Sequence, residues 1–441
     1  MSNVIWDTAD KLSAVTDLTP INWDAFDEIL KGLENINICD GDFEETILSA
    51  YILDGNLYKR GAVLAEAVRH FLSCGYDVSA NDGLNGYLAL EALCWSSFDG
   101  YILEAGKQLM NAGVSAECDD TDSLLECIGG KISGAWAVDR DYEYANALEA
   151  YYTMTEAFVA GKDYNSVDHY QACIGRPLTS VFAADLGQGP ALHRDGDASV
   201  YSEPLVMWFE DKPLVVNCYT ELTVNPIYAN EKKDSLCDVT EELGSLVGAT
   251  LEKVQYIDDI TCYLEFCNGK RLFFSSRDTG KGKRVGTFGI LSADKEPDVE
   301  QINVKYICAL KGCSFADDST KYSEKSIALF CDDGAYLLYL LPETDGRHRL
   351  GLCRCSEGML DEHTRLYPLV RPGKAVWIYD EQNNLLAVRL DFSEGHLYIV
   401  ANEHYEIEVC LSDELFDPTD WYPLPENKGK HINFLRRKTD I

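Results

Sequence analysis

The sequence predicts an α+β multidomain chain: an N-terminal half of stacked helix pairs, then β-rich domains with internally repeated hairpins. Three observations carry this. A helix–glycine–turn–helix phrase recurs in residues 43–185. The apolar period changes from helical to alternating near residue 196. One hairpin phrase then returns with phenylalanines at 209, 266, 330 and 392, separations of 57, 64 and 62 residues.

A chain of 441 residues exceeds one ordinary core and calls for several domains. Segment 1–42, with Leu12, Val15, Leu18, Ile21, Phe26, Ile29, Leu30 and Leu33, is expected to cap the helical stack. The clearest helix pair follows. Val63–Leu72 has apolar residues at helical spacing and runs into Ser73-Cys74-Gly75, where the glycine suits a C′ cap. A turn-rich stretch from Tyr76 to Gly83 leads to a second helix over Tyr87–Cys94. The phrase returns at Ala105–Gly113 with Ser123–Ile128, and more loosely at Met154–Gly161 with Val167–Ile174.

Gly75-Tyr76-Asp77-Val78, with Asn81, Asp82 and Gly83 before Tyr87-Leu88-Ala89-Leu90-Glu91-Ala92, resembles the ankyrin repeat. The chain departs from that family in two ways. Gly86-Tyr87-Leu88-Ala89 stands where the proline-leucine-histidine phrase belongs, and the glycines lie 38 and then 48 residues apart. The resemblance implies an ankyrin-like α-solenoid over about 43–182 that binds proteins through turn fingers and inner helices. By it, Tyr76, Asp77, Asn81, Asp82, Asn85 and Tyr87 fall on the first finger and the start of its inner helix. Glu117, Asp119, Asp120 and Asp122 fall on the second. An irregular α–α bundle is the alternative.

In the second half, the repeated phrases are Leu205–Val216, Cys262–Phe274, Ile327–Tyr339 and Val388–Ile399. Asn268-Gly269 and Asp333-Gly334 are strong hairpin turns. Two β-rich domains of two copies each are expected, 196–292 and 299–441, against the alternative of one large sheet or barrel. The phrase is generically similar to β-rich bacterial immunity proteins.

Charge narrows the function. Lys and Arg number 38 against 74 Asp and Glu, a formal −36, which disfavours direct nucleic-acid binding and anionic lipid surfaces. Residues 1–185 carry 10 basic and 31 acidic side chains, so a basic protein partner is the natural target of that half. No basic, apolar leader opens the chain and no apolar run spans a bilayer. The 16 cysteines lie in core-like segments, and a cytoplasmic, reducing location is expected.

Chemical motifs are weak. His193-Arg194-Asp195 copies a kinase catalytic-loop phrase without its companions and is expected to be a turn before a strand. Gly280–Gly286 matches no phosphate-cradle pattern; with Arg277, Lys281, Lys283 and Arg284 it forms the main basic cluster. Cys308 and Cys313 fit one end of a zinc knuckle, but Cys353 and Cys355 with His363 do not complete it, so no metal or cofactor is expected. The reading is a non-catalytic protein-binding chain, in concrete form an immunity or anti-defence inhibitor that sequesters a basic effector. The alternatives are a hydrolase-type enzyme or a small-ligand sensor with its site in the β-rich half.

Overall fold

The first 160 residues fold into α-helices wherever their apolar spacing is helical. The computed structural model describes residues 2–40, 45–54, 61–96, 100–115, 123–135, 142–195, 198–258, 261–278, 283–292, 303–309, 326–331, 334–341, 349–355, 365–379, 385–392, 395–401 and 407–412. The helices are α1 Ser2–Thr16, α2 Trp23–Lys31, α3 Ile47–Leu53, α4 Gly61–Ser73, α5 Leu84–Trp95, α6 Tyr101–Asn111, α7 Leu124–Gly134 and α8 Tyr142–Val159. Their starts are capped by sequence. The Asn22 side chain accepts from the Ala25 N–H, and Thr46 with Ser49 and Ser123 with Glu126 form reciprocal capping boxes.

Packing arranges these helices in two rows, α1–α3–α5–α7 and α2–α4–α6–α8, with cross-contacts between α5 and α6 and between α7 and α8. Gly75, Gly113 and Gly161, which close the three repeated phrases, all have positive φ (98°, 90° and 66°). This is the left-handed conformation that ends a helix, and a β-carbon penalises it. One expectation fails in the third copy. Val167–Ile174 forms a 3₁₀ turn over Tyr170–Cys173 rather than an inner α-helix. Ile174 is already extended (ψ 138°), and Gly175 at φ 82° and Pro177 leave no room to continue.

The chain divides into two compact units. The first comprises Met1–Ile174, Val206–Val215 and Leu222–Ser235; the second holds Gly175–Leu205, Val216–Glu221 and Leu236–Ile441. Besides two short strands, β1 Cys39–Asp40 and β2 Glu45–Thr46, the strands all follow residue 177: β3 Leu178–Ala184, β4 Leu192–Asp195, β5 Ala198–Tyr201, β6 Leu205–Phe209, β7 Lys212–Val216, β8 Leu222–Val224 and β9 Leu236–Asp238. They continue with β10 Leu251–Asp258, β11 Thr261–Phe266, β12 Lys270–Asp278, β13 Arg284–Ser292, β14 Asn303–Ala309, β15 Ser326–Cys331 and β16 Gly334–Leu341. The last five are β17 Arg349–Cys355, β18 Arg365–Tyr379, β19 Leu385–Phe392, β20 Gly395–Ala401 and β21 Ile407–Ser412.

In all four repeated phrases the two strands are sheet neighbours: β6–β7, β11–β12, β15–β16 and β19–β20. At Asn268-Gly269 the glycine takes φ 72° and the Asn268 side chain accepts from the Lys270 N–H, as a bulged hairpin turn requires. The first two copies do not share a sheet. β6–β7 belongs largely to the first unit, where α8 packs on β8 and the Asn146 side chain accepts the Leu222 N–H at 3.2 Å. β11–β12 sits in an antiparallel sheet ordered β10-β11-β12-β13-β5-β4. Copies three and four do share one, the eight-stranded sheet β17-β16-β15-β14-β18-β19-β20-β21. Ile327, Leu329, Leu338, Val388, Leu390, Leu397 and Ile399 form the core on one of its faces. In both large sheets a tyrosine covers a glycine on the next strand, Tyr201 over Gly286 and Tyr339 over Gly351, where any β-carbon would collide with the ring.

Candidate functional site

The turn between α4 and α5, expected from the sequence to be the first finger, is held by an asparagine network. Gly75 and Tyr76 donate back to the Leu72 and Phe71 carbonyls, turning the chain out of α4. The Asp77 carboxylate then accepts from the Ser79 N–H at 2.9 Å and from its hydroxyl at 2.7 Å. These two bonds hold Asp77 below the ordinary carboxylate range. Asn81, Asp82 and Gly83 all have positive φ (56°, 57° and 88°), a run suited to Asn, Asp and Gly and to few other residues.

Asn37, from the stretch between α2 and β1, locks this turn. Its side-chain oxygen accepts the Asp77 N–H at 2.8 Å, and its backbone carbonyl accepts from Asn81 Nδ2 at 2.9 Å. Asn81 also donates to Asn85 Oδ1 at 2.7 Å, and Asn85 is 0% exposed. A buried amide with this many partners fixes one conformation. Asn37 was not singled out by the sequence. Its only local signal is the short Asn35-Ile36-Asn37 stretch, which carries no periodicity.

The predicted recognition residues therefore separate. Asp77, Asn81 and Asp82 are on the surface. Tyr76, Asn85 and Tyr87 are interior, at 4%, 0% and 1% exposure. The Tyr76 hydroxyl donates to the Asn85 carbonyl at 3.0 Å and reaches Thr46 Oγ1, while burial pushes its pKa up. Their expected placement on an outward-facing finger and inner helix is corrected accordingly: these three side chains build core. The cause is the enclosure of α5, whose residues Asn85–Leu90 and Ala92–Cys94 are all buried, leaving no open inner face there. Gly86 permits it, since Val114 of the next phrase packs directly against its α-carbon. Glu117, Asp119, Asp120 and Asp122 lie outside the described residues.

Elsewhere in the helical unit, exposed Asp7, Asp10, Asp17, Asp24, Glu28 and Glu34 on and after α1 and α2 extend the acidic surface. His169 is buried at the start of the 3₁₀ turn. It caps the 3₁₀ turn by accepting the Gln171 N–H at Nδ1, and its Nε2 lies 3.4 Å from Glu143 Oε1 without making a hydrogen bond. Burial pushes its pKa down to about 4 and outweighs the pull of Asp168. A neutral, enclosed imidazole of this kind is a core group.

In the second unit, His193-Arg194-Asp195 forms strand β4 itself, not a turn before one. Its His193 and Arg194, with Pro190, Ser199 and the segment Asp238–Glu242, line a cleft of about 500 Å³. Arg194 pairs there with Glu242 at 3.3 Å, and Asp238, lowered by the side-chain and backbone donors of Thr240, caps the following turn. Arg284 of the basic cluster donates to Ser276 at 3.3 Å and lies over the Tyr219 ring. Lys281, Cys313 and His363 fall outside the described residues, and among those described no three His, Cys, Asp or Glu converge on a metal site. Among the described helices, none is long and apolar enough to cross a membrane.

Comparison with known family models, curated proteins and solved structures finds no match.

Proposed function

We propose that this chain is a non-catalytic binding protein that captures a basic protein partner through the acidic surface of its helical unit. The observation that carries the proposal is the first finger. Two exposed carboxylates, Asp77 and Asp82, project from a turn that Asn37, Asn81 and Asn85 hold rigid. Preorganised charge loses little entropy on binding and steers a cationic partner into contact. The two-row packing and the three matching glycines support reading the helix pairs as a divergent ankyrin-like stack, with Glu117, Asp119, Asp120 and Asp122 as its second finger.

In biological terms the proposal is an immunity or anti-defence inhibitor acting in the cytoplasm on a basic effector, such as a nuclease-type toxin. A second reading, a small-ligand sensor or hydrolase in the β-rich half, is favoured by one feature, the cleft that joins His193, Arg194, Ser199 and Glu242. Size-exclusion chromatography of the chain mixed with basic proteins encoded beside it tests the first reading. A stoichiometric complex is expected; its absence with every such neighbour sinks that reading.

A further inference from the structure

The cleft of the second unit has a volume of about 500 Å³, within the range of small-molecule sites. Two walls form it, and both are fixed by the backbone. On the sheet side, Arg194 of β4 and Ser199 of β5 are register partners, and Leu192 precedes Arg194 by two residues on the same face. The other wall is the segment after β9. There the Val239 N–H donates to the Val181 carbonyl at 2.9 Å, and the Thr240 hydroxyl accepts the Val181 N–H at 3.0 Å. Asp238 caps the same turn by accepting the Thr240 N–H at 2.8 Å. Glu242 therefore stands on a turn tied to β3.

The two charges that meet in the cleft are incompletely paired. Arg194 Nε and Nη2 both donate to one oxygen, Glu242 Oε2, at 3.4 and 3.3 Å. Among the described residues, Arg194 Nη1 and Glu242 Oε1 have no partner, whereas a bidentate pair uses both oxygens. A donor and an acceptor of opposite charge are thus left side by side. Leu192 and the 7%-exposed Val239 supply apolar lining next to them.

We propose that this cleft binds a free α-amino acid with an apolar side chain. The proposal rests on the second reading above, that the cleft holds a small ligand, and is independent of the acidic turn in the helical unit. The ligand carboxylate pairs with Arg194, beside the Ser199 hydroxyl, and its ammonium pairs with Glu242. Spacing selects the class. The protein's two charges are one hydrogen bond apart, so the ligand's must be adjacent too, and in an α-amino acid they share one carbon. A long ω-amino acid holds its charges too far apart. A dicarboxylate or nucleotide leaves Glu242 unmatched and is repelled by the chain's formal −36, whereas a zwitterion carries no net charge. The ligand side chain then lies against Leu192 and Val239.

Thermal-shift assays of the full chain with L-valine, L-leucine, L-isoleucine, L-methionine and L-phenylalanine, beside glucose, AMP and succinate, test this. At least one of the amino acids should raise the unfolding midpoint, and calorimetric titration with it should show one-to-one binding. Its N-acetyl and amide derivatives, each lacking one charge, should bind about tenfold more weakly or worse. Arg194→Met and Glu242→Gln should each cause a loss of similar size. Their side chains are 75% and 37% exposed, so both variants should stay folded by circular dichroism. Amino-acid binding that survives both substitutions, or equal binding of the derivatives, overturns the proposal. If glucose, AMP or succinate binds instead and Arg194→Met abolishes it, the cleft reading stands and the amino-acid assignment falls. If nothing in the panel binds, both fall.

Discussion

Replacing Gly86 with alanine separates helix propensity from packing, because the two predict opposite signs. Gly86 lies in α5, where alanine is intrinsically better by about 1 kcal/mol. Its β-carbon, however, would lie 2.2 Å from Val114 Cγ2 and 2.8 Å from the Val78 carbonyl oxygen. The first contact can be relieved by moving Val114. The second cannot, since Val78 O accepts the residue-86 N–H at 3.0 Å and retreat sacrifices that bond. Overpacking of this kind costs about 1–3 kcal/mol and a lost hydrogen bond about 1 more. Against the propensity gain, Gly86→Ala should destabilise the helical unit by about 1–3 kcal/mol. Val114→Ala alone removes two methyl groups at about 0.8 kcal/mol each, with a further cavity penalty. In the double variant the new methyl enters part of that space, so the combined loss should fall short of the sum by about 1 kcal/mol. Urea titrations followed by far-UV circular dichroism measure all three. Stabilisation by Gly86→Ala, or strict additivity of the pair, would refute the packing of one phrase into the next.

Three further outcomes concern ionisable side chains. The His169 pKa drops from 6.5 to about 4 on folding, so the unfolded chain takes up a proton that the folded chain refuses. Stability contributed by this group should be full above about pH 6.5 and decline toward pH 4 by about 3 kcal/mol. His169→Asn, which keeps an acceptor for the Gln171 N–H, should flatten that part of the stability–pH curve; an unchanged slope contradicts the assignment. Asp168 holds Lys107 at 3.3 Å and also pairs with Lys212, so Asp168→Asn leaves two part-buried ammonium groups without their anion. A loss of about 2–3 kcal/mol is expected in the same urea titration, larger than that of Lys212→Met, which leaves one pair intact. Asp77→Asn with Asp82→Asn keeps a side-chain acceptor at both turn positions while removing two charges, and should slow association with a basic partner several-fold while the chain stays folded by circular dichroism.

What the sequence disclosed was local. The Phe-turn phrase marked four hairpins because strand alternation and turn residues are short-range, and the three glycines marked helix ends because φ is a property of one residue. Long-range pairing was not legible. Nothing in Leu205–Val216 distinguishes a hairpin packed with helices from one inside a β domain, since both need the same alternation. Tyr76, Asn85 and Tyr87 were misplaced for a related reason. The ankyrin-like phrase predicts which residues lie on the finger, whereas exposure depends on how closely the next phrase packs. In α5, apolar residues occur on every side, the mark of a helix enclosed all round. Of the candidate site, Asp77 and Asp82 were reached through the ankyrin-like resemblance. Asn37 was not legible, because the partners through which it holds the turn lie 38 to 48 residues away.

Affinity for a basic neighbour-encoded protein, measured by calorimetric titration across a range of salt concentrations, tests the central claim most directly. The account predicts a stoichiometric complex whose affinity falls as salt rises and falls further in the Asp77→Asn, Asp82→Asn variant. A complex indifferent to both salt and that double substitution would contradict it, moving recognition away from the acidic finger.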